Sequence, residues 1–366
     1  MSHMPNQHQT SSTPSTREPS VLLRDLTDDL LWPRLLRAPA MALTPSRLII
    51  GTIAAFVITV LSWAPSLWLD QTPRVLPGTQ DVASINPIDA FGQFHGLLYN
   101  TLFAAHTHPW TTLIIGVPIL AVLSVFGCMI SRSAAVEFAQ GRISDSASTN
   151  AFVFHRVSHL LTGTLGPLVF AALLLGLISL GGFLISAPVV DIVGALHYAL
   201  GLGLGLIVTL VLAMHILALP LITPSIACEG TDGFDAVQRS YAYIVGRPLR
   251  ALVFGAILFT LGAIAFSVFQ FLVIGAIGLT DSTLQLLAND AGTLVLSGGG
   301  ELGATQPMAH SIIEFWRSLL QLVFAGYVIS YFYTASTMLY LVLRRVCDGQ
   351  EITEIWYDPE SGSKKG

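Results

Sequence analysis

Charged side chains are scarce in this sequence, and their scarcity excludes a soluble fold for most of the chain. Only 11% of the 366 residues are Asp, Glu, Lys or Arg, and 53% are hydrophobic. Soluble domains carry about a quarter of their residues as charged side chains. A core this apolar needs lipid around it, and the composition therefore predicts an integral membrane protein.

Cysteine pairs, basic surfaces and catalytic motifs are also missing. Cys128, Cys228 and Cys347 are an odd number without CxxC spacing, which provides neither a disulfide framework nor a zinc site. A net charge of -5, with the bases outside the apolar runs, argues against a nucleic-acid partner. The sequence contains no P-loop, Ser-His-Asp or paired-carboxylate arrangement. We therefore predict no enzymatic activity and no cofactor.

Six apolar runs are long enough to cross a membrane, since a spanning helix needs about twenty such residues. None of them contains Asp, Glu, Lys or Arg, and they cover 48–69, 110–131, 160–186, 196–222, 251–279 and 318–343. The predicted fold class is an all-α membrane protein with six transmembrane helices in a domain at 48–343. The first run begins too far along the chain for a secretory signal, so we expect it to be retained.

The segments outside this domain have their own signatures. Residues 1–20 are rich in Ser, Thr, Pro and Gln, which predicts a disordered tail. In 21–47, leucines recur at helical spacing and are followed by Trp32 and several arginines, which predicts an interfacial amphipathic helix. Residues 344–366 form the expected C-terminal tail.

The distribution of basic residues predicts the orientation. All but two of the 17 bases, Arg74 and Arg317, fall in the termini or in connections on one predicted side. Because Lys and Arg accumulate in cytoplasmic connections, both termini are expected in the cytoplasm of a bacterium, with the protein in its inner membrane.

The connections on the other side differ in length and pattern. Residues 70–109 carry apolar residues at helical spacing and predict a helix on the outer surface, and 187–195 predict a tight turn. In 280–317, a Gly-rich segment predicts a mobile loop, with the Leu-Val-Leu of 294–296 as a short strand in the alternative.

Two parts of the chain are similar to each other and suggest a parallel internal repeat. Glu137 precedes Gly141 by four residues after the second run, and Glu229 precedes Gly233 by four residues after the fourth. A short cytoplasmic helix and another apolar run follow in both. The repeat would therefore relate helices two and three to helices four and five.

The second connection, residues 223–252, predicts a capped helix at the inner surface. Thr231 or Asp232 is the expected N-cap, Asp235 and Arg239 form an i,i+4 pair, and a Gly-Arg-Pro sequence ends the helix. Its expected apolar face comprises Phe234, Val237, Tyr241 and Ile244.

The same connection carries the pattern Glu229, Gly233, Ala236, Ser240 and Gly246-Arg247-Pro248. This pattern resembles the membrane domain attached to some bacterial glycerophosphodiester phosphodiesterases and related uncharacterised six-helix proteins. The segments LLWPRLLRAPAMALTPSR and LRRVCDGQEITEIW are similar to parts of uncharacterised bacterial multi-pass proteins, so the resemblance spans 30–357. The phosphodiesterase barrel would need about 250 soluble residues, which this chain lacks. The resemblance therefore implies a membrane fold without an active site.

Three groups of side chains are candidate sites. Arg239, Arg247 and Arg250 beside Tyr241 and Tyr243 could contact anionic lipid headgroups or a partner, although topology selection alone also places bases there. His215 lies inside the fourth run, where ionisable residues are functional candidates, but without an intramembrane acid a structural hydrogen bond to a neighbouring helix is favoured. Weak metal candidates are His106, His108, His310 and Glu314, for which polar outer-surface residues are the alternative interpretation.

The sequence favours a structural or accessory subunit of the membrane without catalysis of its own. Its expected partners are membrane lipid and other membrane protein subunits. The alternative is a translocator or channel for lipids or small molecules that uses the Gly-rich helices three and four. Small residues in these helices permit close backbone approach.

Overall fold

The structure is a computed structural model that describes residues 32–63, 109–186, 189–298, 303 and 305–356. These residues form helices and connections, with no strand among them. The six long helices are α3 (Pro45–Trp63), α4 (Pro109–Gln140), α6 (Val157–Ile185), α7 (Asp191–Glu229), α9 (Pro248–Gln285) and α11 (Gln306–Asp348). The short helices are α1 (Trp32–Leu35), α2 (Ala38–Ala42), α5 (Ser146–His155), α8 (Gly233–Gly246) and α10 (Asp290–Ser297).

The described part of each predicted membrane span falls on one of the six long helices, all of which are long and apolar enough to cross a membrane. The all-α membrane fold is therefore confirmed. Helices α7, α9 and α11 have 39, 38 and 43 residues, which is about 60 Å each at 1.5 Å per residue. That is roughly twice the hydrocarbon thickness of a bilayer. Apolar runs mark only the part of each helix that lipid covers, so they underestimate its length.

The protein core lies at one end of the bundle, which we call the basic end. It is the end that carries Arg47, Arg132, Arg156, Arg239 and Arg344. Every residue of α7 from 221 to 228 is buried there, whereas between 195 and 214 only one residue, at 208, is buried. The α6–α7 hairpin therefore projects from the core and leaves apolar side chains on its surface, as lipid permits.

The described part of the predicted interfacial helix packs inside the bundle. Residues 21–31 lie outside the described residues, and α1 and α2 follow as two short helices. Leu35, Ala38 and Ala42 are fully buried against α9 and α11. The Ser330 hydroxyl of α11 donates to the Ala42 carbonyl at 2.7 Å. Because the five residues of α2, Ala-Pro-Ala-Met-Ala, are all apolar, its sequence shows no amphipathic stripe, and its contacts with α9 and α11 bury it.

Glycines allow the closest helix contacts, and only some of those expected from the sequence take part: a Cβ on Gly181 of α6 would lie 2.4 Å from the His197 ring of α7. A Cβ on Gly51 of α3 would lie 2.2 Å from the Gly326 carbonyl oxygen of α11. A Cβ on Gly233 would lie 2.6 Å from the amide nitrogen of Gly163. In the Gly-rich parts of α6 and α7, positions 176, 182, 203 and 205 have no other described atom within 4 Å. Those glycines do not pack helices within this chain.

The two related units share an order of elements at the basic end. Helices α4 and α7 are each followed by a glycine with positive φ, Gly141 and Gly230, and α11 ends in the same way at Gly349. An Asp N-cap, a short helix, an arginine and a long helix follow α4 and α7 alike. Gly141 thus has its structural counterpart in Gly230, three residues before the glycine expected from the sequence.

The connection between α9 and α11 is also more ordered than the sequence predicts. Residues 294–296 belong to the helix α10, so the alternative of a short strand is wrong. Asn289 caps this helix by accepting a hydrogen bond from the Gly292 amide at 2.9 Å. Residues 299–302 and 304, the predicted disordered tail 1–20 and the predicted outer-surface helix as far as residue 108 lie outside the described residues.

Candidate functional site

Glu229, the last residue of α7, is the centre of the most connected polar cluster at the basic end. Its Oε2 accepts a hydrogen bond from Arg239 of α8, and its Oε1 accepts one from the Tyr340 hydroxyl of α11. The Arg344 guanidinium lies 3.7 Å from Oε1. The Glu229 side chain is only 10% exposed. One carboxylate therefore holds three helices together.

A second carboxylate does the same for α3 and α4. The Arg47 guanidinium donates to Glu137 Oε2 and, at 2.6 Å, to the Thr44 hydroxyl. Arg47 is fully buried, and Glu137 is 21% exposed. Two nitrogens of the Arg47 guanidinium, Nε and Nη1, have no hydrogen-bond partner among the described residues. Burying a charge at this depth is tolerated only because Glu137 neutralises it.

After α11 the chain packs against the basic end, where arginines of α4 and of the α5–α6 junction contact it. Arg132 donates to the Ala227 carbonyl at 2.9 Å and to the Trp356 carbonyl at 2.8 Å. The Trp356 amide donates to the Cys228 carbonyl at 2.9 Å. The Arg156 guanidinium lies 4.6 Å from the Trp356 ring centre, within the range of a cation–π contact. Residues 349–356 thus cover the ends of α4 and α7.

Arg344 adds to these contacts from α11. It is almost fully buried and donates to the carbonyls of Glu351 and Glu354, at 3.0 and 2.5 Å. The predicted tail at 344–366 is therefore divided: its first five residues continue α11, and the next eight fold back onto the core.

Helix α8 begins and ends as the sequence predicts but buries a different face. Asp232 is the N-cap and accepts a hydrogen bond from the Asp235 amide at 2.8 Å, and the helix ends at Gly246. Its buried residues are Gly233, Ala236, Ser240 and Tyr243. Phe234, expected on the apolar face, is exposed. Mostly small residues face inward because α8 packs closely against the backbone of α6. The hydrophobicity of the sequence does not reveal this contact.

The predicted headgroup cluster separates into inward and outward members. Tyr243 is buried and donates to Asp348 Oδ2 at 2.5 Å, so it is not available to a lipid headgroup. Arg239 bonds to Glu229 rather than to the expected i,i+4 residue Asp235. Arg247 and Arg250 are exposed and remain surface residues of the cluster.

The environment shifts the pKa of three residues on α8. Burial, then the hydrogen bond and charge of Asp348, raise the pKa of Tyr243 well above its ordinary value. Burial alone raises the pKa of Tyr241. For Arg239, burial opposes the charged form, but the nearby Glu229 carboxylate leaves its pKa raised. All three side chains therefore keep their protons at neutral pH.

His215 is buried in α7 and bonds across to α6. Its Nε2 lies 3.0 Å from the Thr164 carbonyl oxygen, which can only accept, so Nε2 carries the proton. The Tyr241 hydroxyl lies 3.5 Å from Nδ1. This arrangement suits a neutral imidazole, and it is the helix-to-helix hydrogen bond that the sequence favours for this residue.

Next to His215 is a cavity of about 280 Å³ between α4, α6, α7 and α11. Its lining is uncharged, and its polar side chains are Ser124, Thr164, Thr223 and Tyr333. The Ser124 and Thr164 hydroxyls bond to each other at 2.9 Å. The rest of the lining is apolar and comprises Leu120, Leu123, Leu219, Val328, Ile329 and Phe332.

The weak metal candidates do not come together in the described residues. His310 Nδ1 donates to the Val295 carbonyl at 2.8 Å, and Glu314 bonds to Arg317 at 2.5 Å. Arg317 also pairs with Asp281 at 2.8 Å, which joins α9 to α11 at the end opposite the basic end. His106 and His108 lie outside the described residues. Within the described residues no group of three or more His, Cys, Asp or Glu side chains is placed to hold a metal ion.

Sequence reasoning missed most of the residues that build these sites. Tyr340, Arg344 and Trp356 gave no signal, because nothing in their local pattern shows what they contact. Ser124 and Thr164 lie within predicted apolar runs, so the sequence did not single out their hydroxyls. A search for hydroxyl side chains within predicted spans would have found the polar side chains of the cavity.

Neither a protein-family model, nor a curated protein, nor a solved structure matches this chain.

Proposed function

We propose that this protein is a structural or accessory subunit of a bacterial inner membrane, without catalysis of its own. The observation that carries the proposal is how its charged groups are used at the basic end. Glu229 and Glu137 neutralise arginines of neighbouring helices, while Arg132 and Arg344 bond to main-chain carbonyls. Ion-coupled carriers place such groups along a pathway. Here they join helices to one another.

Orientation is part of this proposal, with the basic end and both termini in the cytoplasm. The positive charge of that end supports it. The test starts from a Cys347→Ser protein, since Cys128 and Cys228 are buried. Arg250→Cys and Leu287→Cys then place single thiols at exposed positions at opposite ends, with Leu287 97% exposed.

A membrane-impermeant maleimide is added to right-side-out and inverted vesicles. We expect Leu287→Cys to be labelled only in right-side-out vesicles and Arg250→Cys only in inverted ones. The reversed pattern would overturn the orientation while leaving the fold intact.

The accessory function is tested by reconstitution and by isolation. Purified protein in proteoliposomes is expected to give no flux of fluorescent lipid or of small solutes above that of empty vesicles. Isolation from native membrane in mild detergent is expected to yield a stoichiometric complex with another integral membrane protein. Flux by the protein alone, or its isolation without such a partner, would contradict the proposal.

A second candidate is a translocator of lipid or small molecules. The cavity between α4, α6, α7 and α11 favours it, because it involves both Gly-rich helices. In that case a bulky substitution in the cavity, Ile329→Trp, would abolish flux in the same proteoliposomes, whereas Ile313→Trp outside the cavity would not.

A further inference from the structure

We propose that the cavity beside His215 binds one acyl chain of a membrane glycerolipid together with its ester carbonyl. The site lies within the membrane-spanning part of the bundle, between α4, α6, α7 and α11. It is independent of the proposed accessory function, because a bound lipid requires neither transport nor a protein partner.

The chemistry of the lining limits the ligand to an uncharged one. None of the ten lining residues carries a charge, and six are aliphatic or aromatic residues without polar side-chain atoms. A carboxylate or an amine bound here would lose its hydration without gaining a counter-ion. A hydrocarbon chain fits the apolar walls.

Two hydroxyls of the cavity lining, those of Tyr333 and Thr223, can each donate a hydrogen bond to a ligand. The Ser124 hydroxyl lies 2.7 Å from the Leu120 carbonyl oxygen and 2.9 Å from the Thr164 hydroxyl, so both hydroxyls have partners, and the Thr164 carbonyl accepts from His215. Tyr333 and Thr223 are almost fully buried, yet neither hydroxyl has a hydrogen-bond partner among the described residues. A donor that faces an apolar cavity is more stable with an acceptor than without one. An ester carbonyl oxygen supplies an acceptor without bringing a charge.

The size and position of the cavity limit the ligand further. Its volume of about 280 Å³ is just below the roughly 300–1,000 Å³ of sites that enclose a whole small molecule. Phe332, which lines it, is 44% exposed on the outside of the bundle. A chain can therefore enter from the bilayer while the headgroup and the second chain remain in the lipid.

Tyr333 is held at the cavity by the shape of α4. Its ring occupies the space beside Gly127, where a Cβ would lie 2.2 Å from the ring carbon Cζ. This contact fixes the ring without using its hydroxyl. The donor is therefore positioned before any ligand arrives.

The test is photolabelling in phosphatidylethanolamine and phosphatidylglycerol vesicles. The probe is a phosphatidylethanolamine with a diazirine in one ester-linked acyl chain, and labelled peptides are located by mass spectrometry. We expect labelling to concentrate on the segments 120–124, 219–223 and 328–333. Ile329→Trp should remove that labelling, whereas Ile313→Trp, near the start of α11 and outside the cavity, should not.

The hydroxyls are tested by competition between two unlabelled lipids, one with ester-linked and one with ether-linked chains. The ester lipid is expected to compete roughly fivefold better, the value of one hydrogen bond of about 1 kcal/mol. In Tyr333→Phe and Thr223→Val, which keep the shape of the side chains, this preference should disappear. A diazirine fatty acid serves as the second probe, and its binding should be weaker because its carboxylate is charged.

Three results would overturn the proposal. One is labelling spread evenly over the lipid-facing helices and unaffected by Ile329→Trp, which would indicate annular lipid only. Another is the absence of labelling from the three cavity segments. The third is equal competition by ester and ether lipids in the unmodified protein. Should Ile329→Trp fail to fold, Tyr333→Phe and Thr223→Val still decide the outcome.

Discussion

The Tyr340 hydroxyl of α11 donates a hydrogen bond to the carboxylate of Glu229 at the end of α7, where Tyr340 is fully buried. The same carboxylate bonds to Arg239 of α8. The Glu229 carboxylate thus joins three helices at the basic end. Removing its charge should therefore weaken the contacts of all three.

We expect Glu229→Gln to destabilise the protein by about 2–3 kcal/mol, because Arg344 would be left buried without its nearby negative charge. This value is below that of a fully buried pair, since Arg239 is 40% exposed. Thermal unfolding in detergent measures it. Glu354→Gln, which removes an exposed carboxylate, is the control. Equal midpoints for the two variants would contradict the structural role of Glu229.

The Arg47–Glu137 pair predicts a difference between single and double substitution. Glu137→Gln leaves a fully buried guanidinium without a counter-ion and should cost about 3 kcal/mol. Replacing both partners, with Arg47→Met and Glu137→Leu, removes both charges together. We expect the double variant to be more stable than the single one by thermal unfolding. A double variant less stable than Glu137→Gln would contradict this expectation.

Tyr243 predicts a pH dependence. Its folded-state pKa is raised by burial and by Asp348, so the phenol ionises first in the unfolded chain, at about pH 10. Its contribution is therefore complete below about pH 10 and is lost as the pH rises through the folded pKa.

Tyr243→Phe should accordingly lower stability by about 1.5–3 kcal/mol at pH 8, the value of a hydrogen bond to a charged acceptor. Above about pH 10 the difference from the unmodified protein should narrow. Unfolding midpoints measured from pH 8 to pH 11 test this, with the exposed Tyr198→Phe as the control. A difference that stays constant over this range would show that Tyr243 does not titrate as described.

The crossing of α3 and α11 predicts a strong glycine effect. In Gly51→Ala the new methyl group would lie 2.2 Å from the Gly326 carbonyl oxygen, so the two backbones must separate. We expect a loss of about 3 kcal/mol. Gly116→Ala in α4 is the matched control: no other described atom lies within 4 Å of its Cβ position, and alanine favours the helix by up to about 1 kcal/mol. Similar behaviour of the two variants would rule out this crossing.

Single residues show how far the sequence could predict this protein. The cap at Asp232 was predictable because a cap is made by neighbours in the chain. The buried face of α8 was not, because it depends on Gly163 of another helix. His215 was predicted to bond to a neighbouring helix, but its partner Thr164 could not be named. The glycines at 203 and 205 were expected to pack and do not, because spacing permits an approach without requiring one.

The sequence by itself determined that this chain crosses a membrane six times, because the cost of leaving charge or unpaired backbone in lipid selects long uncharged helices. Tertiary structure decided which of those helices form the core and which project from it. It also decided that Glu229 meets Tyr340 and that four hydroxyls border one cavity. These contacts join residues from forty to more than a hundred positions apart, and no local pattern of hydrophobicity or charge specifies them.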